Sequence, residues 1–358
     1  MSLLAALGLA LAGLFPVQDP PAPALKGLDP VELTRGKEVA GDAKFVVDRA
    51  PHRYLFVSEE NKQAFLADPE RLGIQWGGAC GRMGPGSGSG SPDRFWVHDG
   101  RIYVFASEAC REGFKKDPAS HLDPDEAPVE GDETALKSGR QWIERAVAAH
   151  GGAKAIDGMQ RLQLLETWEV QGKDGPTQRV RELSFEFPDD VCLREAWGDW
   201  ESKTVLRKSE CFAWYTGGKT EDEHASARRD FERRLAREPL LILRARLRSD
   251  FRAVVLEPRA TDASGTTRVA VSFANTRTEL GLDARTGEIV SVLFRGRGAG
   301  TNYGPTRRFY RVGSESKGVR SPMLLVTEFG GQQSSGREKL QSRTEVDGTF
   351  PSGVFTRP

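Results

Sequence analysis

The sequence predicts an α+β chain in which a small strand-and-helix module, built twice, precedes a longer antiparallel meander of short strands. Three observations predict it. A stretch near the N-terminus recurs at a fixed offset of 49 residues. Twelve short strand-like runs follow between Leu162 and Val346, separated by turn signals such as Gly217-Gly218, Ala263-Ser-Gly265 and Arg285-Thr-Gly287. One charged helical stretch, Asp222 to about Arg248, interrupts them.

The repeat is ungapped. Tyr54-Leu-Phe-Val-Ser-Glu-Glu-Asn-Lys-Gln-Ala-Phe-Leu-Ala-Asp-Pro69 matches Tyr103-Val-Phe-Ala-Ser-Glu-Ala-Cys-Arg-Glu-Gly-Phe-Lys-Lys-Asp-Pro118 at seven of sixteen positions. A match at fixed period means one supersecondary unit used twice. In each copy an alternating run, 53–57 or 101–105, suits a strand. Ser58 or Ser107 then stands where an N-cap accepts from free helix N–H groups, and the glutamate after it suits the positive end of the helix dipole. Asp68-Pro69 and Asp117-Pro118 end the helix, because the residue before proline avoids helical backbone. Phe65 and Phe114 are expected to pack on their own strands, and His98-Asp-Gly100 reads as a hairpin turn. The copies differ at a chemically loaded position, Asn61 against Cys110. The Gly/Ser-rich stretch between them reads as a flexible linker. It lacks the Gly-Lys-Ser/Thr ending and following helix of a phosphate loop.

A chain of 358 residues exceeds one ordinary core. Residues 1–24 are expected to be a signal peptide and disordered start, since Met1 to Phe15 is apolar, uncharged and short for a membrane span. Export to the periplasm or cell envelope follows. The module occupies 27–122, with copies at 27–75 and 76–122. An acidic, Pro-bearing linker with almost nothing to bury spans 123–133, and 134–358 holds the meander. Lys plus Arg equals Asp plus Glu at 51 each, so net charge gives no reason to expect nucleic acid as a partner. The excess of Arg over Lys reads as composition and not as a binding patch. A helix over Leu136 to His150 opens the last segment, with Trp142, Ile143, Ala146, Val147 and Ala149 on one covered face. Gly151-Gly152 caps it, and His150 sits where the dipole favours a cation. Glu238-Pro239 is expected to break the later helical stretch in two.

The duplicated region resembles a YHS domain. The carrying residues are Asp29-Pro-Val31, Tyr54-Leu-Phe-Val-Ser58, Phe65-Leu-Ala-Asp-Pro69 and Trp76-Gly-Gly-Ala-Cys80. The arrangement is similar to the exported branch of that family, where a second, weaker unit follows. The resemblance implies Cys-based metal binding only in members that keep the cysteine set. Here the first copy has Glu32 and Asn61 at those places, whereas the second has Cys80 and Cys110, which suggests that these two thiols face one another. Residues 134–358 resemble the lipoprotein-carrier (LolA/LolB-like) superfamily through Ala149-His-Gly-Gly152, the turn Leu282-Asp-Ala-Arg-Thr-Gly287 and the meander itself. That resemblance implies a half-barrel, a curved antiparallel sheet with helices on its concave side, around an apolar cavity for an acyl chain or similar ligand.

The candidate site residues follow. Closing the 29-residue loop between Cys80 and Cys110 with a disulfide would stabilise by about 3–4 kcal/mol on the chain-entropy model. Alternatively the two thiols are ligands of Cu(I) or Zn, helped by His98 or His121. Cys192 and Cys211, on neighbouring strand-like runs in an exported protein, are expected to form a cross-strand disulfide. Trp168, Trp197, Trp200 and Trp214 cluster in the early strands, where core packing is expected, and Trp168, Trp197 and Trp214 are candidates to line a ligand cavity. No Gly-x-Ser-x-Gly elbow or other catalytic constellation is present in the sequence. The expected function is therefore an exported, non-enzymatic binding protein with no cofactor. Its half-barrel would bind an apolar or lipid ligand, or a lipid-bearing protein, with the YHS-like module as accessory and peripheral association with the envelope. The alternative is an envelope metal-binding protein using Cys80 and Cys110.

Overall fold

The computed structural model describes residues 22–172, 175–218, 220–260, 263–297, 302–333 and 338–357, with the side chains of 314, 338 and 339 left aside. All but the last three residues of the expected leader and start lie outside the described residues. The first unit is assembled from α1 (Pro30–Thr34), β1 (Asp42–Arg49), β2 (His52–Phe56), α2 (Glu59–Ala67), α3 (Pro69–Leu72), β3 (Ser91–His98), β4 (Arg101–Phe105) and α4 (Glu108–Lys116). Its duplication extends to the irregularities. The β1–β2 ladder slips between Asp42 and Val46, and the β3–β4 ladder slips at the equivalent places, between Ser91 and Phe95. Ser58 Oγ accepts from Asn61 N–H and Ser107 Oγ from Cys110 N–H, both at 3.2 Å. Phe65 and Phe114 are fully buried on their hairpins. Asp99 and Gly100 both take positive φ, as a two-residue hairpin turn of this hand requires.

The stretch between the copies is not a free linker. Cys80 N–H donates to Gly88 O and Gly90 N–H to Gly78 O, which ties it into a closed loop. Gly84 shows why glycine recurs there. It has φ +90°, and a Cβ would stand 2.1 Å from Arg297 Nη2 of the second unit.

The second unit opens with α5 (Glu133–Ala149) and α6 (Ala153–Gly158). Six strands follow, β5 (Arg161–Gly172), β6 (Gly175–Glu186), β7 (Asp190–Trp197), β8 (Trp200–Arg207), β9 (Glu210–Tyr215) and β10 (Glu221–Asp222). Two helices then intervene, α7 (Ala225–Leu235) and α8 (Pro239–Ala245), broken at Glu238-Pro239 as the sequence predicts. The chain ends with β11 (Arg252–Leu256), β12 (Thr266–Phe273), β13 (Thr276–Asp283), β14 (Ile289–Arg297), β15 (Tyr303–Ser316), β16 (Val319–Phe329), β17 (Gln332–Gln333) and β18 (Glu338–Val346). All twelve expected strands are present. They do not make one curved sheet. With two short additional strands, β10 and β17, they form two antiparallel sheets of seven, ordered β10-β9-β8-β7-β6-β5-β18 and β11 through β17 in sequence. β18 returns to pair with β5, and α7–α8 separate β10 from β11, so the meander divides at the helical insertion.

The main core lies between the inner faces of these sheets. Phe231, Leu235, Leu240, Ile242 and Leu243 of the helical insertion join Leu162, Leu183 and Leu193 of one sheet and Val269, Leu280 and Val292 of the other. The expected apolar cavity is filled at this level by these side chains. Helix α5 packs along β11 so closely that a Cβ on Gly139 would stand 2.1 Å from Ala253 O. The acidic stretch 123–133 is mostly exposed but anchored at several points. Asp123 pairs with Arg233 at 3.3 Å and Arg237 at 3.6 Å, and Val129 N–H donates to Ser272 Oγ. Val129 is buried with it.

His150 is fully buried and not the dipole-paired cation the sequence suggests. Its Nδ1 lies against Arg320 O and its Nε2 accepts from Ile289 N–H, which requires the neutral ring with the proton on Nδ1. Burial holds its pKa below the usual histidine value. A folded pKa below the unfolded one gives stability that is complete above about pH 6.5 and lost as pH falls through the folded value. The urea midpoint should therefore fall as pH drops from 7.5 to 5.5, and fall less steeply in His150→Phe. An identical pH slope in that variant would contradict the assignment.

Candidate functional site

Strand alternation decides which of the expected residues can meet. On β5 to β8 the inner-facing phase runs through Leu162, Leu164, Glu166 and Trp168, then Leu183, Arg181 and Arg179, then Leu193, Glu195 and Trp197, then Ser202 and Trp200. Trp168, Arg179, Trp197 and Trp200 are thus direct cross-strand partners in one row. The Trp197 and Trp200 rings stack with centroids 3.6 Å apart, and the Arg179 guanidinium lies 4.7 Å from the Trp197 ring centroid. Trp197 stays 36% exposed. Trp214 does not belong to this row. It shares the phase of Phe212, on the other face, where Phe212 packs with Cys192, Val205 and Val354. Trp200 belongs to the tryptophan cluster the sequence shows, whereas Arg179 escaped the sequence reading. It could have been found by extending the alternation from Trp168 and Trp197.

The next row on the same face carries Glu166, Arg181, Glu195 and Ser202. It borders a 330 Å³ pocket between the two sheets and α7. Five arginines line that pocket, Arg181, Arg234, Arg237, Arg297 and Arg308, against two carboxylates, Glu195 and Asp230. Beneath it Glu238 is 6% exposed at its side chain and lies 3.3 Å from Arg181 and 3.0 Å from Arg308. Burial alone would raise the Glu238 carboxyl. The two guanidiniums reverse that and hold it below the usual range. Asp230 accepts from the Tyr303 hydroxyl at 2.7 Å, and Tyr303 in turn accepts from Arg297 at 2.8 Å. A second space of 720 Å³ lies between the glycine-rich loop of the first unit and β8–β9, with Trp76, Trp200, Trp214, Tyr215 and Glu223 on its walls. Glu195 of the first space pairs across strands with Ser202 of the second, so the two adjoin.

The cysteines divide differently from expectation. Cys192 and Cys211 cannot form the expected disulfide. β8 lies between their strands, and they face opposite sides of the sheet, Cys211 in the main core and Cys192 against Val354 and Phe355. Burial pushes their thiols up to about 12 and about 11 respectively. Cys80 and Cys110 do face one another within hydrogen-bonding contact, as unbonded thiols. In the first copy the equivalent place is taken by Asn61, whose Nδ2 donates to Asp29 Oδ2 at 2.8 Å and Glu32 Oε1 at 3.2 Å. The Ser107 hydroxyl lowers the Cys110 thiol below its ordinary value, with Cys80 and Arg82 adding to it against a smaller effect of burial. The metal alternative lacks a ligand set, since among the described residues no group of three His, Cys, Asp or Glu is placed to hold an ion. His98 and His121 instead pack on the Phe114 ring.

No family model matches the chain. No curated protein matches it. Solved structures are similar at low identity. One is a putative outer membrane lipoprotein-sorting protein domain from Vibrio parahaemolyticus, with TM-score 0.36 and 9% identity, over 62% of this chain and 97% of that one. Another is a DUF1329 family protein from Desulfovibrio piger, with TM-score 0.36 and 8% identity over the same shares. A third is a LolA superfamily protein from Nitrosomonas europaea, with TM-score 0.37 and 9% identity, over 61% of this chain and 97% of that one. At these scores function is read from the chain's own residues.

The register makes a direct prediction about the thiols. A maleimide should modify Cys110 in the native protein, and Cys192 and Cys211 only after denaturation. A mild oxidant should link Cys80 to Cys110 and leave the other two as free thiols. A Cys192–Cys211 disulfide peptide found by mass spectrometry would contradict the strand pairing.

Proposed function

We propose that the two-sheet unit is a non-enzymatic binding module for an amphiphilic, lipid-like ligand. The observation that carries this is the Trp168–Arg179–Trp197–Trp200 row on an inner face, beside the arginine-lined pocket. A half-exposed aromatic row presents large apolar area at low entropic cost, and the neighbouring guanidiniums give one end of the recess a strong polarity. A ligand with an apolar body and a polar end matches that layout. A purely apolar chain would leave the charged pocket dry and uncompensated. The ligand body lies along the tryptophans and not in the centre of the unit, which Phe231, Leu240 and Leu243 already fill.

In this reading the duplicated, YHS-like module is an accessory. Its loop closes one side of the recess through Trp76 and the contact of Gly84 with Arg297. Arg295 donates to Ala119 O and Leu122 O and holds the two units together. Among the described residues no helix is long and apolar enough to cross a membrane. Export, with work in the periplasm or envelope on a lipid or a lipid-bearing protein, belongs to the same proposal.

Full-length protein titrated with n-dodecyl maltoside below its micellar concentration should show a saturable change in tryptophan fluorescence. The double variant Trp168→Ala/Trp197→Ala should weaken binding by at least about tenfold, which is about 1.4 kcal/mol. The amphiphile should be recovered unaltered. Unchanged affinity in the double variant, or a ligand recovered cleaved or modified, would overturn the proposal.

A further inference from the structure

We propose that the arginine pocket takes a phosphate group, so that the ligand of the recess is a phosphate-bearing amphiphile. This rests on the reading above and names the chemistry of its polar end. Three side chains that line the pocket carry buried polar atoms that make no hydrogen bond. The Arg237 side chain is 3% exposed, and its nearest carboxylates, Asp123 and Glu126, stand 3.6 and 3.9 Å away. Its Nε and Nη2 make no hydrogen bond, nor do Thr327 Oγ1 and Arg297 Nε. A buried donor with no acceptor costs about 1–3 kcal/mol, and more when charged, so an occupant that accepts from these groups recovers that cost.

Charge and direction select the occupant. Of the two lining carboxylates, Asp230 is already engaged by the Tyr303 hydroxyl and by Arg234 at 3.5 Å. Only Glu195 opposes an anion. Arg308 is satisfied by Glu238 yet still borders the space. The atoms that make no hydrogen bond belong to lining residues of three separate elements: Arg237 after α7, Arg297 on β14 and Thr327 on β16. One planar carboxylate is served by a single arginine fork. Donors converging from several sides suit the tetrahedral oxygens of a phosphate. The space, 330 Å³, lies at the lower end of the range of small-molecule pockets and accommodates a head group. Enclosure between sheets strengthens the attraction relative to water.

The test compares dodecyl phosphate, dodecanoate, n-dodecyl maltoside and inorganic phosphate as ligands of the full-length protein by calorimetry. Dodecyl phosphate should bind at least about tenfold more tightly than dodecanoate or the maltoside, and weaken with added salt. Thr327→Val and Arg237→Met should each weaken dodecyl phosphate more than dodecyl maltoside and so reduce that preference. Thr327→Val keeps the test decisive if loss of Arg237 disturbs folding. Glu195→Gln should tighten phosphate binding by removing the one opposing carboxylate. Tighter binding of dodecyl phosphate than of inorganic phosphate assigns the group to an amphiphile. Equal binding assigns the pocket to free phosphate and overturns only the amphiphile reading. Equal affinity for the phosphate and maltoside ligands, or tighter binding of dodecanoate, would overturn the phosphate assignment and leave the amphiphile reading standing. If no dodecyl ligand binds, that reading fails first.

Discussion

A single buried carboxylate, Glu238, joins the two halves of the larger unit. Arg181 reaches it from one sheet and Arg308 from the other. The side chain is delivered there by local sequence. Proline at the first position of α8 ends α7 and turns the chain, so the residue just before it points into the space between the sheets and not along a helix. Removing ions from water is costly, and this triad is worthwhile only because opposite charges close the gap at hydrogen-bond distance. It also sets a boundary. On one side, apolar residues from both sheets and the helices fill the interior. On the other, charged and aromatic side chains face open space.

That boundary explains why the recess has the chemistry it has. An inner sheet face beyond the helices would otherwise be exposed apolar surface, prone to association. Here the phase that carries leucine at one end of each strand carries Glu166, Arg181 and Glu195 in the middle and tryptophans at the other end. The smaller module contributes a hydrogen-bonded loop to the same region. Its two copies show how one backbone unit accepts different chemistry at one place. A carboxylate–amide pair sits there in the first copy and two thiols in the second.

Much of this architecture was legible because local signals decide it. Serine caps, Asp-Pro ends and alternating runs depend on residues a few positions apart, and the repeat exposed the first unit directly. Division into two sheets was not legible, because the return of β18 to β5 pairs residues more than 160 positions apart with no local signature. The Cys192–Cys211 expectation failed for a countable reason. Proximity in sequence was read without strand phase, and phase puts Cys192 outside and Cys211 inside. The same omission left Trp168 and Trp197, which share one row, unseparated from Trp214, which has the other phase and borders the 720 Å³ space. The arginines were the larger miss. Taken as bulk composition they say nothing, whereas Arg181 in the leucine phase of its strand marks a charge placed where a core residue is due.

The clamp at Glu238 admits a direct measurement. The unfolding free energy of Glu238→Gln should fall by about 3–5 kcal/mol, because Arg308 is then buried without its counter-charge and Arg181 keeps Glu166 alone of its two close carboxylates, at 3.5 Å. Replacing the whole cluster, Arg181→Met, Glu238→Met and Arg308→Met with Glu166→Gln so that no carboxylate is left without Arg181, should recover most of that loss. A Glu238→Gln protein within about 0.5 kcal/mol of the parent, the range of an ordinary surface substitution, would show that the carboxylate does not hold the sheets together.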